Sequence, residues 1–337
     1  MRIIFFGTPR FAEIILEKII ADGGYEILGV VTTPDEPVGR KQILTAPAVK
    51  VLAEKNGLKV WQPEKLDEEF YEEITKEITP IGEVYKPHPD PLLGKERGVT
   101  GAELFIVAAY GKIIPQKFLD LPKFGCLNVH PSLLPKYRGA SPIQSALLHG
   151  EKETGVTIMK MDAEMDHGPI ISNFEFRISN FETQQTLSEK LAEVGAELLL
   201  KSVPDYLTGK IEPKEQNHNA ATFCKIIKKS DGEINWQKSA EQIYNQWRAF
   251  WPWPGIFFEL RINLPAGKAG NYELRIKIIE LSLNSGEDSK HKPGELFAEN
   301  NKLFVAGGDQ KLLEIKKLQP EGKNIMNDKD FINGYLK

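Results

Sequence analysis

Apolar positions follow two rhythms along the chain. Ile3, Ile4, Phe5 and Phe6 form an unbroken run ending at Gly7, which predicts a strand buried on both faces. Phe11, Ile14, Ile15 and Ile19 then recur at helical spacing and predict a helix over Phe11–Ala21. A second β-branched run follows at Tyr25–Thr32. Strand, helix and strand in this order imply a parallel sheet with crossover helices. Pro34–Pro47 reads as a loop, Ala48–Asn56 as a helix and Val60-Trp61 as a short strand. Glu103–Ala109, Cys126–His130 and Val156–Met161 read as further strands, and Ile170-Ile171 as the start of an edge strand. Thr186–Leu207 reads as a long amphipathic helix capped by Thr183 or Thr186.

Two stretches break these rhythms. Residues 78–100 are rich in proline and glycine and read as an exposed insertion, and residues 264–271 as a second loop. Pro204–Pro213 reads as a domain exit. Beyond it come one helix, Ser239–Ala249, and five short strands starting near Ile256, Leu274, Gly294, Leu303 and Leu312. That set fits a small OB-like barrel. The expected layout is an α/β domain over residues 1–208, with a parallel-rich sheet, and an OB-like β-barrel domain over 209–337.

With 337 residues, 41% of them hydrophobic and 27% charged, the chain is long enough for two cores and too apolar for disorder. No apolar run approaches the ~18 residues of a membrane span, and the first residues lack a signal peptide's core. A cytoplasmic protein with no membrane association is expected. Cys126 and Cys224 stand alone, which excludes a disulfide framework and a cysteine zinc cluster. The six histidines show no ligand spacing, so no metal is expected. Residues 209–337 carry 20 Lys+Arg against 17 Asp+Glu, while the remainder carries 23 against 30. A basic C-terminal part permits a polyanionic partner.

The candidate chemistry begins at Asn128-Val129-His130, at the C-terminal end of an expected parallel strand, where open α/β sheets bind ligands. Side chains two apart share one side of a strand, so an amide donor and an imidazole converge. Such a pair can stabilise a developing oxyanion and move a proton; alternatively, His130 is a hydrogen-bonded core histidine. Asp162 and Asp166 both lie in the loop after the Val156–Met161 strand, and either is placed to pair with a histidine and fix its tautomer. No phosphate loop, dinucleotide fingerprint or serine nucleophile elbow is present.

Longer motifs narrow the field. Ile3-Ile4-Phe5-Phe6-Gly7-Thr8-Pro9, Ala108-Ala109-Tyr110-Gly111, Asn128-Val129-His130 with Ser132-Leu133-Leu134-Pro135 and Tyr137-Arg138-Gly139-Ala140, and Arg248-Ala249-Phe250 with Pro252-Trp253-Pro254 resemble the methionyl-tRNA formyltransferase family. The match runs over nearly the whole chain apart from the two interruptions. It implies a Rossmann-like formyltransferase domain followed by an OB-like tRNA-binding domain. It implies formyl transfer from 10-formyltetrahydrofolate to methionyl initiator tRNA, with no metal, by a monomer. The implied catalytic residues are Asn128, His130 and Asp166, with Ser132, Leu133, Leu134 and Pro135 shaping the folate pocket. The loop Pro34–Pro47, through Arg40 and Lys41, is expected to reach the tRNA, aided by Lys225, Lys228 and Lys229. The chain departs from the family pattern at Glu164 and His167, where glycine and threonine are usual, and Pro131 is shared with other folate formyltransferases.

Overall fold

The computed structural model describes residues 1–39, 41–78, 101–262, 272–284 and 288–336. Arg40 and nearly all of the two interruptions lie outside the described residues. The chain divides into two compact units. The first comprises Met1–Pro142, Glu153–Arg177 and Ser188–Lys225, and the second Ile143–Lys152, Ile178–Leu187 and Ile226–Lys337.

The first unit is built on a seven-stranded sheet. Its strands in chain order are β1 (Arg2–Gly7), β2 (Glu26–Val31), β3 (Val60–Trp61), β4 (Leu104–Ala108), β5 (Cys126–His130), β6 (Glu153–Lys160) and β7 (Ile170–Arg177). Across the sheet they run β3-β2-β1-β4-β5-β6-β7. The first five are mutually parallel. β6 and β7 each run antiparallel to the strand before them. The order reverses between β1 and β4, the switch point at whose carboxyl ends such sheets hold ligands. There the Thr8 hydroxyl donates to the Tyr110 carbonyl at 3.0 Å, tying the two strand ends together.

The unbroken apolar runs of β1 and β4 are explained by burial on both faces: Ile3 to Phe6 and Leu104 to Ile106 are all fully buried. The long helix Gln184–Leu207 covers part of the sheet. A Cβ at Gly195 would meet Val129 Cγ1 at 2.8 Å and Val156 Cγ1 at 3.2 Å, so glycine there lets the helix lie close on β5 and β6. Of the two threonines considered as its cap, Thr183 precedes the first turn. The Thr186 N–H donates to the Thr183 hydroxyl at 3.4 Å, and the Thr183 N–H to the Thr186 hydroxyl at 3.0 Å.

The structure contains elements that the sequence pattern did not predict. Glu68–Ile78 is an α-helix that buries Phe70, Ile74 and Ile78; its high charge hid a four-residue apolar repeat. Within the expected loop Pro34–Pro47, Glu36–Val38 and Ile43–Thr45 pair as an antiparallel hairpin. The Gly101 N–H donates to the Ile78 carbonyl, so the described residues on either side of the first interruption meet.

The second unit holds an antiparallel sheet in the OB-like manner, with strands β8 (Ile256–Ile262), β9 (Tyr272–Asn284), β10 (Leu296–Glu299), β11 (Lys302–Ala306) and β12 (Leu312–Pro320). Their order is β8-β9-β12-β11-β10. The helix Ala240–Phe250 is capped by Ser239, whose hydroxyl accepts from the Gln242 N–H while the Gln242 side chain returns to the Ser239 N–H.

Candidate active site

β5 carries two of the three expected catalytic side chains. Asn128 pairs with Val107 of β4 and Met159 of β6, and His130 pairs with Thr157. Leu127 and Val129 point into the core and are fully buried, which leaves Asn128 and His130 together on the other face. Asp166 enters from the loop between β6 and β7. Its Oδ1 accepts from Asn128 Nδ2 at 3.3 Å and lies 3.5 Å from His130 Nδ1, while its Oδ2 accepts from the Gly139 N–H at 2.7 Å. Two side chains of β5 and one main-chain N–H thus meet on one carboxylate. His130 is 4% exposed, and its Nε2 lies 3.0 Å from the Tyr137 carbonyl. That carbonyl only accepts, so Nε2 carries a proton. The Asn128 amide has a second hydrogen beyond the one directed at Asp166, and Asn128 and Asp166 are only partly buried. The Asn128–Asp166 side of the site is therefore partly open to solvent.

The structure separates the two aspartates. Asp162 turns away: its Oδ2 faces His167 Nδ1 at 2.7 Å, and its Oδ1 accepts from the Glu164 N–H at 3.0 Å. The two departures from the family pattern are absorbed there. Glu164 closes a turn on Asp162, and the His167 ring stacks on His218 with centroids 4.0 Å apart and planes 5° from parallel. Asp166 itself has φ of 50°, in the left-handed region that side chains seldom adopt. A Cβ on Gly168 would fall 2.0 Å from the Lys160 carbonyl oxygen, so only glycine lets this loop close on β6.

The expected folate-pocket residues play different parts. Ser132 is fully buried and its hydroxyl donates to the Lys136 carbonyl at 2.6 Å; the Leu134 N–H donates to the Thr157 hydroxyl at 3.1 Å. Both hold the loop in shape. Leu133 and Pro135 remain partly exposed. Across β5, the β4 end presents Ala109, exposed at φ of 45°, then Gly111, whose absent Cβ faces open space, and Ile113, 85% exposed. The Tyr110 ring is buried against Phe6, and burial pushes its hydroxyl up to about 12. An open glycine beside exposed apolar side chains suits a flat heteroaromatic ring.

Of the residues expected to meet tRNA, Arg40 lies outside the described residues. Lys41 is exposed between the two hairpin strands, and Lys225, Lys228 and Lys229 are exposed. The hairpin is anchored at its base by Asp35, which receives Gln62 Nε2 at 2.7 Å and Lys50 Nζ at 2.9 Å. Those bonds hold the Asp35 carboxyl below its usual range. Among the described residues, no group of three or more His, Cys, Asp or Glu could hold a metal ion. None of their helices is long and apolar enough to cross a membrane.

Two residues at the site were not singled out from the sequence. Gln216 and His218 follow the long helix with no recognisable motif and reach the Asp166 loop only through folding.

Comparison with known proteins fits this architecture. A formyl transferase family model matches residues 1–203, and a formyl transferase C-terminal domain model matches residues 226–336. Fold and site thus define a formyl transferase. The methionyl-tRNA formyltransferase of Thermodesulfovibrio yellowstonii is 42% identical, over 98% of this chain and 95% of its own. That of Caldicellulosiruptor saccharolyticus is 40% identical, over 99% and 97%. The chain belongs to the methionyl-tRNA formyltransferase family. Two solved structures share the fold. One is WlaRD, a sugar 3N-formyl transferase with dTDP and 5-N-formyl-THF (TM-score 0.63, 18% identity, 96% of this chain and 99% of that one). The other is an N-formyltransferase from Helicobacter canadensis with folinic acid and dTDP-3-aminofucose (TM-score 0.61, 19% identity, 93% and 98%).

Proposed function

We propose that this chain transfers the formyl group of 10-formyltetrahydrofolate to the α-amino group of methionyl initiator tRNA, as a cytoplasmic monomer serving translation initiation. The observation that carries this is the meeting of Asn128 and His130 on Asp166 Oδ1, at 3.3 and 3.5 Å, at the C-terminal end of a central strand, in a chain whose relatives bear that name. Residues 1–208 form the catalytic part and 209–337 the tRNA-binding part.

The folate supplies a formyl group on nitrogen, a carbonyl ready for attack by an amine. Asn128 directs its free N–H to the formyl oxygen as negative charge gathers there. His130, oriented by Asp166, receives the proton the attacking amine loses and returns one to the departing nitrogen. Each well-placed donor contributes ~3 kcal/mol, on the order of 100-fold in rate. The partly exposed Leu133 and Pro135, with the Ala109–Gly111 turn opposite, flank the donor; Ser132 and Leu134 keep that loop rigid. No metal takes part.

Arg40, Lys41, Lys225, Lys228 and Lys229 neutralise tRNA phosphates. Binding of charged tRNA is then expected to weaken steeply with salt, by about one unit of log–log slope per phosphate contacted. A filter-binding titration that stays flat from low to moderate salt rules out this tRNA interface. The central test is a formyl-transfer assay offering methionyl initiator tRNA and a free sugar amine in parallel. Transfer to the charged tRNA alone is expected, and transfer only to the free amine defeats the assignment.

A further inference from the structure

We infer that Arg138 and Gln216 form a buried clamp that positions the Asp166 carboxylate and so governs turnover, without either residue touching a substrate. The inference rests on the role of Asp166 proposed above.

Gln216 is 5% exposed and Arg138 4%. The Gln216 amide nitrogen donates to the carbonyls of Asp166 and Gly168, at 3.0 and 2.7 Å. Its oxygen accepts from Arg138 Nε and Nη2, at 3.2 and 2.6 Å. All the strong bonding capacity of this amide is therefore spent: two hydrogens on the loop, two lone pairs on the guanidinium. Arg138 is itself fixed. Its N–H donates to the Thr222 carbonyl at 2.8 Å, and Nη2 lies 2.9 Å from His218 Nδ1. The neighbouring Gly139 N–H holds Asp166 Oδ2 at 2.7 Å. Arg138-Gly139 thus grips Asp166 twice, its side chain directly and its main chain through Gln216.

Two features point to positioning rather than to packing alone. Among the described residues Arg138 forms no ion pair; its buried charge is directed at a neutral amide, a costly arrangement whose visible outcome is the fixed orientation of Gln216. The main chain it secures is the left-handed turn at Asp166, φ 50°, a conformation that persists only when its surroundings over-determine it. Displacing a catalytic group by about 1 Å can cost on the order of 100-fold in rate.

Gln216→Glu separates the two roles. It keeps the size and the acceptor for Arg138 but replaces both N–H donors with an oxygen facing two carbonyls. With methionyl-tRNA and 10-formyltetrahydrofolate, kcat is expected to fall ~10–100-fold, with both KM values within about twofold and Tm within a few degrees. Placed on Asp166→Ala, the same change is expected to cost nothing further, because both act through one carboxylate. A native kcat in Gln216→Glu beside a collapsed Asp166→Ala overturns the clamp alone, as do losses that multiply in the double variant. An Asp166→Ala enzyme with native turnover overturns the role of Asp166 and the clamp with it. If Gln216→Glu does not fold, Arg138→Lys, which keeps the charge but loses the two-pronged hold, is expected to lose kcat several-fold on the native background and nothing on Asp166→Ala. An unchanged kcat in folded Arg138→Lys overturns the clamp.

Discussion

Asp166→Ala is expected to lower kcat by ~100-fold or more while leaving the KM for charged tRNA nearly unchanged. The carboxylate accepts from Asn128 Nδ2 and the Gly139 N–H and lies 3.5 Å from His130 Nδ1. Without it, His130 Nδ1 faces a gap and the ring loses the group that orients it. The Asn128 amide loses its partner as well and turns away from the line to the formyl oxygen. Asp166→Asn is expected to recover little, because an amide has one acceptor oxygen where the native group uses two. The side chain is partly exposed and outside the main core, so the melting temperature should move only slightly. Steady-state formylation with a parallel thermal melt measures both; normal turnover by a folded Asp166→Ala enzyme removes Asp166 from the mechanism.

Phe105→Ala is expected to destabilise the first unit by ~3–5 kcal/mol, the usual cost of emptying a large buried aromatic site. Phe105 is fully buried in β4, paired with Ile4 on one side and Cys126 on the other. Its ring lies 5.3 Å from that of Phe6, in a core cluster that also holds Tyr110, Ile114 and Phe118. Strands on both sides of β4 hold the backbone in place, so the cavity cannot collapse cheaply. The damage should reach the site too, because Val107, two residues on, pairs with Asn128. Urea unfolding followed through the first unit reads the loss. A change below about 1 kcal/mol would mean that this ring is not packed as described.

Much of the site was legible in advance because it is local. Asn128 and His130 are two residues apart on one strand, and a strand's geometry alone puts them on one face. Their partner was less legible. Asp162 and Asp166 share a loop and a residue type, and spacing treats them alike. Folding separates them, sending Asp162 to His167 and Asp166 to Asn128, 38 residues away in sequence. Ser132 shows the converse limit. It stands in the stretch expected to shape the folate pocket, and its hydroxyl is bonded inward to Lys136. The helix Glu68–Ile78 stayed hidden because its inward face is a single stripe, Phe70, Ile74 and Ile78, among charged neighbours.

What the chain's order determined by itself were features set by near neighbours: the buried strands, the helix that begins at Ser239 and the Asn128–His130 pair. Backbone geometry converts such short spacings directly into shared faces. Which aspartate meets the imidazole, and which distant glutamine and arginine hold it there, was decided only by tertiary structure. Gln216 and Arg138 are 78 positions apart, and no local periodicity encodes a contact that arises when the segment after the long helix folds back beside the Asp166 loop.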